Sequence, residues 1–138
     1  MRIMAIDYGD AHTGIAISDP TGLLAGFTTV INSRRQEVVV EQVTLLAKEH
    51  GAEELVLGHP VNMDGTLGPR SEKAKAMKVL LEEATALPVV LWDERRTTID
   101  AHNILFNSGK NAKQRKKVVD AVAASLILEG YLTLKKSH

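Results

Sequence analysis

The acids stand where an α/β protein would place its chemistry. Asp7 ends the apolar run 3–6, Asp93 and Glu94 end the run 88–92, and Asp120 is the only charged residue within 118–128. Such side chains are seldom fully buried without a partner. Carboxylates gathered at one place repel and raise one another's pKa, so a cluster of them calls for a counter-cation. The chain has no cysteine, and His12, His50, His59, His102 and His138 are scattered without an HxxxH or HExxH pair. The available ligands are therefore hard oxygens, which suit magnesium or manganese rather than zinc. Carboxylates holding such ions fit phosphoryl chemistry. Each acid alone also has a plainer reading. Asp7 could shape the turn before Gly9, Glu94 could pair with Arg95 or Arg96, and Asp120 could be an acid at a helix start.

Bringing the acids together requires strands that end side by side. The alternation and apolar runs predict strands over 2–8, 13–19 and 24–31, joined by short turns as antiparallel hairpins. The period then becomes helical over 34–50, where Val39, Val43 and Leu46 recur and Gly51 supplies a stop. A strand over 54–58, a Gly-, Asn- and Asp-rich loop over 60–69 and a helix over 70–86 follow, the helix with Ala74, Met77, Leu81 and Ala84 on one stripe. A strand over 88–92, a short helix over 98–106 and a last helix over about 117–135 complete the chain. That last helix is apolar on most faces, as expected of one packed deep against a sheet. This order predicts an α/β fold with a mixed five-stranded sheet and helices on both faces. Right-handed crossovers make the first strand parallel to the two later ones, and sites in such sheets gather at the strands' carboxyl ends.

With 138 residues the chain is expected to form a single domain, 1–138. No apolar stretch is long enough to suggest a membrane span, and the N-terminal apolar run is too short for a signal peptide, so a cytoplasmic protein is expected. Seventeen basic and seventeen acidic residues cancel, so net charge does not argue for nucleic acid. Their distribution says more. Lys110, Lys113, Arg115, Lys116 and Lys117 form a stretch without an acid, and Arg70, Lys73, Lys75 and Lys78 form a second one diluted by Glu72. Either is a candidate phosphate-contacting face or simply a solvated loop and helix face. The few aromatic residues argue against a base-stacking platform for single strands.

Four motifs in order give the chain a family resemblance. They are Asp7-Tyr8-Gly9 with Gly14, Ala16, Ser18 and Asp19; the stretch from Gly58-His59-Pro60 through Asn62, Asp64, Gly65 and Thr66 to Gly68; Asp93-Glu94-Arg95 with Thr97-Thr98; and Asp120 with Ala123-Ala124 and Tyr131. Over essentially its whole length the chain resembles the YqgF family of pre-16S rRNA nucleases. These are also described as Holliday-junction-resolvase-like, with a ribonuclease-H-like fold. The resemblance implies a Mg2+- or Mn2+-dependent nuclease acting on structured RNA in 5′-end processing of pre-16S rRNA during ribosome biogenesis. Asp7, Glu94 and Asp120 would be the catalytic and metal-binding acids, with Asp64 an alternative to Glu94.

Substrate contacts are expected at Asn62, Asp64, Gly65, Arg95 and Thr97, and from the basic stretch at Lys113, Lys116 and Lys117. Where the family carries a basic pair in the first turn, this chain has Ala11 and His12. Implied partners are pre-16S rRNA, branched DNA as an alternative substrate, and ribosomal precursor particles. The chain is expected to be a monomer or weak homodimer, with no exposed apolar stripe that would establish a dimer. Two other readings compete: a DNA endonuclease of the resolvase kind, and a non-catalytic RNA- or ribosome-binding module. The first hairpin also looks like the phosphate turn of actin-like and sugar kinases, but those need a second such domain.

Overall fold

A computed structural model describes residues 2–19, 25–59, 68–93 and 112–136, with the backbone alone for 112–120 and 136. In chain order its elements are β1 (Arg2–Asp7), β2 (His12–Ser18), β3 (Ala25–Asn32), α1 (Gln36–His50), β4 (Ala52–His59), α2 (Pro69–Thr85), β5 (Val89–Asp93) and α3 (Ala112–Lys136). The five strands form one sheet in the order β3-β2-β1-β4-β5. Here β1 is antiparallel to β2 and β2 to β3, whereas β1, β4 and β5 are parallel. Both hairpins and the parallel arrangement of β1, β4 and β5 thus follow the sequence reading.

The pleat divides the core in two. Met4, Ile6, Ile15, Ile17, Leu55 and Leu57 pack with Val39 and Val43 of α1 and Met77 and Leu81 of α2. Their neighbours Ile3, Ala5, Ala16 and Val56 point the other way, against Ala124, Ile127, Leu128 and Tyr131 of α3. Residues 3–6 are all buried, which is why β1 reads as an unbroken apolar run rather than as an alternation.

Two expectations are corrected. The last helix starts at Ala112, not near 117. The basic residues 113–117 therefore occupy its first turns rather than a loop. No glycine or proline interrupts the helix before Gly130, and Lys, Gln and Arg are good helix formers. Ala84 is exposed, because the buried stripe of α2 ends at Leu81 and the helix stops at Thr85. The loop over 60–67 and the short helix over 98–106 lie outside the described residues.

Candidate functional site

Asp7 is the last residue of β1, half-buried, and it continues the face of Ile3 and Ala5, the face that α3 covers. Among the described residues its carboxylate has no hydrogen-bond or ion-pair partner. A half-enclosed carboxylate without a counter-charge is the kind of oxygen donor that a hard cation satisfies.

The far end of the sheet decides where α3 begins. Tyr131 donates a hydrogen bond to Glu54 at the start of β4, and Lys135 Nζ adds a contact of 3.2 Å to the other oxygen of the same carboxylate. From Tyr131 the stripe runs back through Ile127 and Ala124, both fully buried, to position 120. Eleven residues of helix separate Asp120 from Tyr131. They span about 16 Å, close to the ~13 Å that β4 covers from Glu54 to Gly58. Leu57 pairs with Ile6, so the next position of β4 is level with Asp7. Asp120 is thereby placed on the sheet-facing stripe of α3, at the end of the sheet where Asp7 stands.

Asp93 is at the same end but on the other face. It shares the parity of Val89 and Leu91, which pack toward α1 and α2, and it stands opposite His59 in the pairing of β4 with β5. His59 Nε2 lies 2.5 Å from Ser71 Oγ in the first turn of α2, and Ser71 is fully buried. This bond ties the end of β4 to the start of α2 on the face away from Asp7. No sequence signal pointed to it, since His59 reads as one of five scattered histidines. Among the described residues no group of three or more His, Asp or Glu forms a metal-sized cluster.

The first turn is built by close approach. A Cβ on Gly9 would lie 2.4 Å from the backbone oxygen of His12, so only glycine fits there. Tyr8, Gly9 and Asp10 line a shallow recess with Arg70, Lys73 and Ala74 of α2, where Lys73 Nζ is 3.7 Å from Asp10 Oδ1. Burial, and then the Asp10 charge, push the Tyr8 hydroxyl pKa up. His12 Nδ1 lies 2.7 Å from Asn32 Oδ1, a side-chain hydrogen bond between residues paired across β2 and β3. In the second basic stretch, Lys75 and Lys78 are drawn to Glu72 and Glu82 at 3.8 and 3.5 Å.

Of the sequence-predicted site residues, Asp7 is described in full. Asp120, Lys113, Lys116 and Lys117 are placed by the backbone of α3. Asn62, Asp64, Gly65, Glu94, Arg95 and Thr97 lie outside the described residues.

The family described as RuvX, Holliday junction resolvase, matches residues 1–134. A protein of Halothermothrix orenii named "Putative pre-16S rRNA nuclease" is 44% identical over 132 residues, covering 96% of this chain and 94% of its own length. One of the same name from Listeria monocytogenes is 44% identical over 134 residues, covering 96% and 97%. Among solved structures, Thermus thermophilus RuvC in complex with a Holliday junction substrate aligns with a TM-score of 0.66 at 14% identity, covering 99% of this chain and 96% of that one. The ROK hexokinase of Thermus thermophilus aligns with a TM-score of 0.52 at 23% identity, but over 75% of this chain and only 38% of its own. At these identities the structural likenesses speak for the fold, which is ribonuclease-H-like, as the sequence resemblance implied.

Proposed function

The chain belongs to the RuvX Holliday junction resolvase family, enzymes that hydrolyse phosphodiester bonds, and on that premise we propose that it is a divalent-metal-dependent nuclease of structured RNA. Its task in this reading is 5′-end processing of pre-16S rRNA in the cytoplasm, on ribosomal precursor particles, as a monomer or weak homodimer. The full-length relatives that carry the pre-16S rRNA nuclease name support the choice of RNA.

What supports the catalytic part is that Asp7 ends β1 on the face that α3 covers, and that the buried stripe of α3 through Tyr131, Ile127 and Ala124 continues to position 120. Asp7, Glu94 and Asp120 would hold Mg2+ or Mn2+, and the donor set of carboxylate oxygens fits such an ion. Bound there, the ion supplies charge stabilisation at the phosphoryl oxygens and activates water. Glu94 is preferred to Asp93 because Asp93 belongs to the opposite face. Asn62, Asp64 and Gly65 position the substrate beside the acids, and Arg95 and Thr97 contact its phosphate. Lys113, Lys116 and Lys117, in the first turns of α3 at the same end of the sheet, contact the backbone further along the strand.

A second reading, a DNA endonuclease acting on four-way junctions, is favoured by the description of the family itself. The discriminating experiment is cleavage of a labelled RNA spanning the 5′ leader and mature start of small-subunit rRNA, beside a four-way DNA junction. Each is run with Mg2+, Mn2+ or EDTA. Metal-dependent cleavage of the RNA in preference to the junction is the expected result. Preference for the junction selects the second reading, and binding without cleavage of either selects a non-catalytic module.

A further inference from the structure

Arg70, Lys73, Lys75 and Lys78 lie along α2, and their surroundings divide them into two pairs. Lys75 and Lys78 are taken up by acids of the same helix, Glu72 and Glu82. Arg70 has no ion-pair partner among the described residues. Lys73 reaches off the helix to Asp10 at 3.7 Å, a contact between two exposed side chains. Arg70 and Lys73 are also the two that line the recess with Tyr8, Gly9 and Asp10, on the turn that leaves Asp7. The backbone on both sides of that recess is held by packing. Ser71, between Arg70 and Lys73 in sequence, is fully buried and bonded to His59 at the end of β4, and Ala74 is buried as well. Opposite them, the close approach of Gly9 to the backbone oxygen of His12 fixes the first turn. Exposed cations on such a platform present their charge at a set place.

The pleat sets where the recess stands relative to the acids. Tyr8 follows Asp7 and packs on the opposite face, toward α1 and α2. The recess and Asp7 are therefore back to back across the end of β1. The first turns of α3, which carry Lys113, Lys116 and Lys117, lie on the Asp7 side. Basic residues thus flank this strand end from both faces of the sheet.

We infer that the recess between the first turn and α2 is a phosphate subsite, where Arg70 and Lys73 hold the nucleic-acid backbone beside the phosphate to be cut. The inference rests on the nuclease reading above and adds a path to it. The strand crosses the carboxyl end of the sheet, from the first turns of α3 past Asp7 to the first turns of α2. The recess is shallow and its cations are exposed, so it suits a phosphate carried on a chain that is held elsewhere rather than a free anion. Tyr8 adds a donor, because burial and then the Asp10 charge push its hydroxyl pKa up and keep the proton in place. Asp10 occupies Lys73 until the strand arrives, and an exposed pair of this kind is exchanged at little cost.

The test uses the full chain and reads binding in EDTA, with melting temperatures to check folding. Affinity for the labelled leader RNA and for the four-way DNA junction is followed against salt. Arg70→Ala with Lys73→Ala should flatten the slope of log affinity against log salt by about 1.5–2. Lys75→Ala with Lys78→Ala, the same charge change on the same helix, should leave the slope as in the wild type. Asp10→Asn should tighten binding by about two- to fivefold where Lys73 is present, and by less in a Lys73→Ala background. Inorganic phosphate at matched ionic strength should leave the RNA bound. An unchanged slope in the Arg70 and Lys73 variant overturns the proposal, as does an equal loss in the Lys75 and Lys78 variant. Displacement of the RNA by phosphate from the wild type but not from the Arg70 and Lys73 variant makes the recess a free-anion site and overturns it too. Because binding is read without cleavage, a chain that binds but cuts neither polymer faults the nuclease reading while the slopes still decide the recess.

Discussion

The hydroxyl of Tyr131 on α3 donates to the carboxylate of Glu54 at the start of β4, joining residues 77 apart in the chain. The bond lies at the opposite end of the sheet from Asp7, yet it fixes the level at which α3 is seated and hence how far its first turns reach. A side-chain contact remote from the candidate site thereby helps to seat the helix that carries position 120, together with the packing of Ala124, Ile127 and Leu128 on the sheet.

Replacing that donor should be felt in stability. Tyr131 is 8% exposed and Glu54 9%, so Tyr131→Phe leaves the Glu54 carboxylate to its contact with Lys135. A hydrogen bond to a charged group at such a place contributes about 1.5–3 kcal/mol. Urea unfolding should show a loss in that range.

The pH dependence follows from the same pair. Burial, the bond to Glu54 and the Glu54 charge push the Tyr131 hydroxyl from 10.0 up to about 12. The folded state therefore keeps its proton where the unfolded chain has lost it. The resulting stability is fully present below about pH 10 and is lost as pH rises from there to about 12. Melting temperatures of the wild type should fall more steeply across that window than those of Tyr131→Phe.

Gly130 is a second seat for α3. A Cβ there would lie 2.8 Å from Cζ2 of Trp92, whose ring also packs edge-on against Tyr131 at 6.2 Å. Gly130→Ala gains about 1 kcal/mol of helix propensity but forces the indole or the helix to move, an overpacking cost of about 1–3 kcal/mol. A lower denaturation midpoint is expected, with a shift in emission of the protein's single tryptophan.

Gly9→Ala acts at the other end. Its Cβ would meet a backbone oxygen at 2.4 Å, which cannot rotate away as a side-chain atom could. The turn after Asp7 must therefore open. Cleavage should fall by at least about tenfold even at temperatures where circular dichroism reports a folded chain, because small displacements of a reacting group are costly.

The α3 lysines are tested through salt. Changing Lys116 and Lys117 together to Ala removes two phosphate contacts in the proposed reading. Binding should weaken for every RNA sequence, and the slope of log affinity against log salt should shrink by about 1.5–2. An unchanged slope removes this pair from the nucleic-acid surface.

Periodicity carried most of the fold. The unbroken run 3–6, the Val39 and Val43 stripe and the Ala74, Met77 and Leu81 stripe all read correctly because burial on one face or two leaves a local signature. The start of α3 did not, since lysine-rich turns serve equally as loop or helix until something packs beside them. The Glu54, Tyr131 and Lys135 cluster was illegible because it pairs elements far apart in sequence. At the site, Asp7 and Asp120 were legible as acids in apolar surroundings. That Asp93 lies on the face away from Asp7 required the pairing register.

The account rests on Asp7 and Asp120 serving one site. The most direct measurement is single-turnover cleavage of the labelled pre-16S RNA in Mg2+ by wild type, Asp7→Asn, Asp120→Asn and the double variant, all checked for folding. Groups that act as a unit are not additive. Each single variant should lose about a thousandfold or more in rate, and the double variant should be no slower than either. Wild-type cleavage by either single variant, or losses that multiply in the double, would contradict a shared site.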